Sequence, residues 1–360
     1  MRADVQGLMG GQLGSWLEGQ SHMREEAREK ANNRWFYGGL AAIPVLAFLW
    51  VSGFFGFTSN IMISAVLIGM VYSWGHQPIA EAKKTVKVGI NAAIAENLGV
   101  NYEHEVTPGE EFEACRTYGL VPDYDREEFE DHWYGELEGH GFQLYEAHLE
   151  EKRGSGRHQR WVTVFQGAII CMQFGRPFRS TTLLQRSGKH KKFFGLGGRK
   201  DHVKFQGHRL DYVDQVHPQF EDVFDLWSDD QVEARVIAHP SYIEHLIAIE
   251  NAFDGEDLRA LFTRESVVIA IESGDLFESG SMDAYDDEAR VEEAAEQFAA
   301  LARLALAINQ TERGRIMGMP TVGGAADIAP PLPGNTVQEI GAGDRRRVRR
   351  QAGGFGRKGL

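Results

Sequence analysis

The chain has 360 residues, 42% of them hydrophobic, with 38 Lys+Arg against 52 Asp+Glu and a formal net charge of -14. Its two cysteines, Cys115 and Cys171, exclude a disulfide framework and a CxxC zinc site, and fit a reducing compartment. Residues 313–360 hold nine Lys/Arg against Asp327, Glu339 and Asp344, a net of +6, which leaves -20 on residues 1–312 and argues against nucleic acid as the partner of the body.

Residues 1–34 form an N-terminal cytoplasmic segment in this reading. Gly7, Gly10, Gly11 and Gly14 interrupt Leu13, Trp16 and Leu17, which predicts a loosely held terminus or a short amphipathic turn resting on a bilayer surface. Residues 36–57 then run without a charge, long enough to cross a hydrocarbon core of roughly 30 Å as a helix. A second apolar run, 61–74, follows after Thr58, Ser59 and Asn60, so a transmembrane helical hairpin is expected over 35–78 with its turn at those three polar residues. Arg24, Arg28, Lys30 and Arg34 precede the pair and Lys83, Lys84 and Lys87 follow it. Positive flanks stay inside, which places both termini in the cytoplasm of a multi-pass protein, with Trp35, Tyr37, Tyr72 and Trp74 at the interfaces. A polar segment before the first run and the lack of a small-residue cleavage site speak against a signal peptide. Pro44 is tolerable in such a helix because neighbouring groups re-satisfy the freed backbone.

Residues 79–312 read as one cytoplasmic α+β domain, an antiparallel or mixed sheet with flanking helices. Residues 78–98 carry apolar positions at three- and four-residue steps, a helix continuing out of the anchor and ending at Gly99. A short strand is expected over 100–106, then a helix opened by Thr107 and Pro108 and running to about Thr117. Strands follow at 133–137, 142–151, 161–174 and 178–184, with Gly167 at a bulge, and again at 203–213 and 223–227. Helices are expected at 239–253 and 286–309, with a strand at 266–271 between them. Gly, Pro and Arg dominate residues 313–360, read as a disordered basic tail.

The search for chemistry returns no HExxH, GxSxG or GxxxxGK[ST] motif, and the histidine pairs His239/His245 and His202/His208 lie six apart and His140/His148 eight, wrong for a helix-borne metal pair. No cofactor is expected. Acidic residues crowd 123–131 and 221–230, a pattern for a cation or acid–base site as well as for a solvated face. The loop holding Lys189, Lys191, Lys192, Phe193 and Phe194, and the tail's Arg345, Arg346, Arg347, Arg349 and Arg350, are candidates for contact with anionic lipid headgroups. Nucleic acid competes as a target of the tail.

Several blocks carry a family resemblance: 119–126 (GLVPDYDR) with Glu130-Asp131, 164–167 (VFQG), 220–224 (FEDVF), 229–235 (DDQVEAR) and 276–278 (LFE). They resemble the bacterial membrane family known as domain of unknown function 3137, across about residues 112–280 and the preceding anchor. The resemblance implies a bacterial inner-membrane protein with a cytoplasmic α+β domain and supplies no reaction. Charges clustered beside aromatics make Tyr124, Arg126, Asp131, Glu233 and Arg235 the candidate binding surface. The expected function is a membrane-anchored scaffold or interaction protein with a protein partner. The alternative is a hydrolase or transferase acting on a phosphorylated, membrane-associated substrate.

Overall fold

The computed structural model describes residues 12–309 apart from 138, 174–177, 188–199, 215–220, 222, 238–239, 265, 278–281 and 283–284. Two long antiparallel helices open it, α1 (Gln12–Val51) and α2 (Phe57–Leu98), each about 60 Å long at 1.5 Å per residue. Indole rings seated against glycines fix their register. A Cβ on Gly75 would fall 2.0 Å from the Trp35 ring, and one on Gly89 would fall 2.1 Å from Trp16. The N-terminal segment is thus helical from Gln12 and packed, not loose, because Trp16 and Leu17 join the core and tertiary contact outweighs the glycines' poor helix propensity.

The bend of the hairpin is also displaced from the expected Thr58–Asn60. It lies at 52–56, where Gly53 takes φ +65° and Gly56 is the extended residue before α2. Thr58, Ser59 and Asn60 instead form the first turn of α2. Glycine backbone freedom decided the turn, and small polar residues suit a helix start, whose first amides lack intrahelical acceptors.

After α2 come β1 (Asn101–Glu105), α3 (Glu110–Thr117), β2 (Arg126–Leu137), β3 (His140–Arg153), β4 (Arg160–Gln173), β5 (Thr181–Arg186), β6 (His202–Phe205), β7 (His208–Tyr212) and β8 (Phe224–Ser228). The chain continues through α4 (Gln231–Ile237), α5 (Pro240–Ala252), β9 (Glu256–Thr263), β10 (Ser266–Glu272) and α6 (Tyr285–Asn309). The ten strands pair as one sheet in the order β1-β2-β3-β4-β10-β9-β5-β8-β7-β6, every described pairing antiparallel. The α+β architecture on a helical pair is therefore as expected.

Both faces of the sheet are covered. On the larger core, Val86, Ile90 and Ile94 of α2 meet Trp133, Leu144, Ile170 and Ile269 of the sheet, closed over by Leu246 and Ile249 of α5, Phe253 just beyond it, and Phe298 and Leu301 of α6. The second core holds Phe112 and Cys115 of α3 against Tyr145, Phe165 and Trp227. The β6 end of the sheet returns to that face, with Phe205 6.2 Å from Tyr118 between ring centroids.

Details depart from the expected elements for local reasons. Helix α3 starts at Glu110 rather than at Thr107-Pro108, with the Gly109 N–H donating to Glu111 Oε1 at 2.8 Å. Strand β9 was hidden because the left-handed residues Asp254 and Asp257 sit at its entrance and break the alternation. The irregularity in β4 falls at Val164, where pairing with β3 skips a residue. Gly167 answers a close approach instead, since a Cβ there would lie 2.0 Å from the Ile271 carbonyl oxygen.

Candidate functional site

Composition along α1 and α2 divides the hairpin into a docked half and a bare half. Nineteen of the 22 exposed large apolar side chains among the described residues lie between 36 and 74, the others being Trp161, Val232 and Leu306. Val51 is 86% exposed whereas Val86, on the same hairpin, is fully buried. An apolar surface of this extent far exceeds the few hundred Å² ordinary on a water-soluble protein. Both helices are long and apolar enough to cross a membrane, judged by length and composition. A polar and aromatic collar closes the bare half on the domain side. Arg34 Nη1 donates to the Trp74 carbonyl at 3.1 Å and its guanidinium lies 5.4 Å from the Trp74 ring, while Trp35 Nε1 donates to the Tyr72 carbonyl at 3.1 Å.

Below the collar, a buried charged joint fastens α2 to the sheet. Strand β2 bulges where Asp131 and His132 together face Tyr145, and Asp131 takes φ +58°, a conformation Asp tolerates better than most residues. The bulge sends the fully buried Asp131 side chain under α2, where Lys87 Nζ lies 2.7 Å from Oδ2. Lys87 also donates to Glu130 Oε2 at 3.3 Å. Strand β1 completes the cluster. Tyr102 and His104 alternate onto one face, Tyr102 OH donating to Asp131 Oδ1 at 2.6 Å and His104 Nδ1 lying 3.3 Å from the same oxygen. Burial, then the Asp131 charge, push the Tyr102 phenol up, so it remains a hydrogen-bond donor. Donor atoms of His104, Glu130 and Asp131 all lie within 4.8 Å of one another, a spacing suited to a metal ion, but the Lys87 ammonium already supplies the cation between the two carboxylates.

Next to the joint the sheet carries a polar cleft of about 90 Å³ lined by Glu128, Glu130, Glu146, Ala147, His148, Gln166 and Asp275. Register explains the crowding: Glu130 pairs with Glu146, and Glu128 with His148, which pairs with Gln166. Glu146 is only 7% exposed, and burial together with the Asp131 charge pushes its carboxyl far above the usual carboxylate range. The folded protein thus holds a proton that the unfolded chain releases as pH rises past the ordinary value of 4.5, so this group lowers stability progressively above that pH. Glu146→Gln should therefore raise stability at pH 8 by on the order of 1–3 kcal/mol, the gain shrinking toward pH 5. Thermal melts of both proteins at the two pH values check this, and equal shifts at both would show that the folded protein does not retain the Glu146 proton across that window.

The five residues of the expected binding surface are spread over three places. Tyr124 and Arg126 lie at the start of β2: Tyr124 OH donates to Glu127 Oε2 at 2.6 Å, and Arg126 pairs with Glu150 at 3.3 Å with its guanidinium 6.0 Å from the Trp161 ring. Asp131 is in the buried joint. Glu233 accepts from the backbone N–H groups of Arg179 and Ser180, at 2.9 and 2.7 Å, and Arg235 Nη2 donates to the Asp214 carbonyl at 3.2 Å. The pair on α4 thus holds chain segments together. Lys189, Lys191, Lys192, Phe193, Phe194 and Arg345, Arg346, Arg347, Arg349, Arg350 lie outside the described residues, as does the tail. Sequence reasoning reached Asp131 through its acidic neighbourhood but missed Lys87, Tyr102, His104 and Glu146. Lys87 was read as a membrane-flanking charge, and the Tyr102-x-His104 alternation in β1 was the available signal for the rest.

Comparison with known proteins adds little chemistry. Residues 163–310 match the family described as protein of unknown function (DUF3137), a stretch running from β4 through α6. No curated protein matches. Among solved structures, the crystal structure of the mycobacterial trehalose monomycolate transport factor A, TtfA, aligns over 58% of this chain and 93% of that one, at 10% identity and a TM-score of 0.31.

Proposed function

We propose, from the match of residues 163–310 to the family described as protein of unknown function (DUF3137) and from the bare apolar hairpin, that the chain is a membrane-anchored interaction protein. The bare half of the hairpin sits in the bilayer of the bacterial inner membrane, and the sheet domain stands beside that membrane on its cytoplasmic side. The observation that carries the reading is the abrupt change along two continuous helices, from core-packed at Trp16 and Val86 to naked apolar surface at 36–74, with the Arg34 and Trp35 collar at the border. Arg28, Lys30, Arg34, Lys83 and Lys84 flank the apolar part from the domain side, supporting a cytoplasmic location for both flanks. A protein partner for the domain is part of this proposal, supported by the Lys87–Asp131 joint, which holds the sheet at a fixed attitude to the anchor. The enzymatic alternative has less support, because the buried carboxylate Asp131 is engaged by Lys87 and Tyr102.

The full chain is expected to stay with the membrane through alkaline carbonate and high salt and to require detergent for release. Replacing Val45 and Ile68, both on the bare surface, by Arg should weaken insertion by roughly 2.5–3.5 kcal/mol per charge. The double variant should then appear in the carbonate-soluble fraction. Quantitative release of the native protein by carbonate would remove the anchoring reading.

A further inference from the structure

The dimensions of the hairpin say which bilayer it fits. Counted from the collar, Trp35 to Val51 is 16 residue steps on α1 and Phe57 to Trp74 is 17 on α2, about 24–26 Å of helix at 1.5 Å per residue. Trp35 stacks on Tyr72 with ring centroids 6.1 Å apart, and at the far end Trp50 stands edge-on to Phe57 at 5.8 Å, so the two helices measure the same span. A typical hydrocarbon core is roughly 30 Å thick, which leaves the helical rod several ångströms short.

The bend cannot remain in the hydrocarbon to make up the difference. At that end the Ser52 N–H donates to Phe48 O at 2.9 Å and the Asn60 N–H to Gly56 O at 3.0 Å, and among the described residues the amides of 53–59 have no recorded backbone acceptor. Lipid-exposed irregular backbone does not occur within the hydrocarbon region, because each unsatisfied amide there is penalised far more heavily than an ångström of thickness mismatch. The bend must reach water or headgroups, and it arrives there with Phe54, Phe55 and Phe57 exposed and no charged residue between Arg34 and Glu81. We infer that the hairpin is matched to a thin bilayer, with a core of about 24–27 Å. It seats its three-phenylalanine tip at the far acyl–headgroup border and either selects such a membrane or thins a thicker one around itself.

This inference rests on the membrane reading above, and the test separates the two. The full chain, with Cys171→Ser and Phe55→Cys, is reconstituted with its domain outward into phosphatidylcholine vesicles whose monounsaturated chains have 14, 18 or 22 carbons. A membrane-impermeant maleimide is trapped inside. Cys115 is fully buried and stays unlabelled. The expected result is co-flotation with all three vesicles and labelling from the lumen that falls at least tenfold from 14 to 22 carbons. Equal labelling at all thicknesses would overturn the thin-bilayer match, as would absence of lumenal labelling in every vesicle that the protein floats with. Failure to float with any vesicle would instead overturn the anchoring reading itself.

Discussion

Lys87→Met should destabilise the folded protein by about 3–5 kcal/mol, because it leaves the Asp131 carboxylate buried with no counter-charge. The ammonium is nearly as buried as the carboxylate, its side chain being 6% exposed. Tyr102 and His104 can keep their contacts with Oδ1, but Oδ2 loses the charge it faces. Asp131→Asn should cost a comparable amount for the mirror-image reason, and Asn accepts the left-handed backbone there. The double variant Lys87→Met/Asp131→Asn should recover most of the loss, since replacing both members of a buried ion pair is often close to neutral. Denaturant unfolding of the full chain in detergent micelles measures the three values. Additive losses in the double variant would show that the pair is not coupled and that the joint is held by packing alone.

Trp133→Ala should cost a further 3–5 kcal/mol on the same scale, about the value for truncating a fully buried large aromatic. Trp133 is the keystone between sheet and helices: its ring centroid lies 4.8 Å from Tyr102, 5.0 Å from Phe277 and 4.7 Å from Phe298 of α6. It is also the first residue after the bulge to resume pairing with β3, opposite Leu144, so the cavity would open beside the charged joint. Trp133→Phe should lose much less, about 1–2 kcal/mol, because most of the apolar volume is retained. Equal losses for the two replacements in the same unfolding assay would point to the Trp ring's exact shape, not its volume, as the requirement.

Long-range features were legible where one physical signal dominated. The uncharged runs at 36–57 and 61–74 announced the paired apolar helices, and successive β-rich stretches over 133–227 announced an antiparallel or mixed sheet, which is antiparallel at every described pairing. Turn placement was less legible, because polarity pointed to Thr58–Asn60 while the positive-φ residue is Gly53. The charged joint was hardest to see. Asp131 stood out among its acidic neighbours, but its partner Lys87 lies 44 residues away on a helix where a lysine looks like an ordinary flank. Only the bulge at Asp131 and His132, which breaks the period-two pattern of β2, brings the two together. Glu146 was hidden for a related reason: in β3 it continues the alternation of Phe142 and Leu144, and nothing local marks it as the first polar residue of that buried row.

The seating of Trp35 against Gly75 and of Trp16 against Gly89 has a mechanical side. Two helices locked by bulky rings in close-fitting notches, one near the inner end and one at mid-length, cannot slide past one another, and the Lys87–Asp131 pair welds the inner end to the sheet. In the proposed membrane setting the part of the hairpin on the domain side of the collar is a lever about 35 Å long, pivoting at the Trp35–Tyr72 contact. A ten-degree change of tilt across such a lever displaces its end by about 6 Å, so in that setting a change in the anchor's tilt is passed to the sheet as a movement of that size.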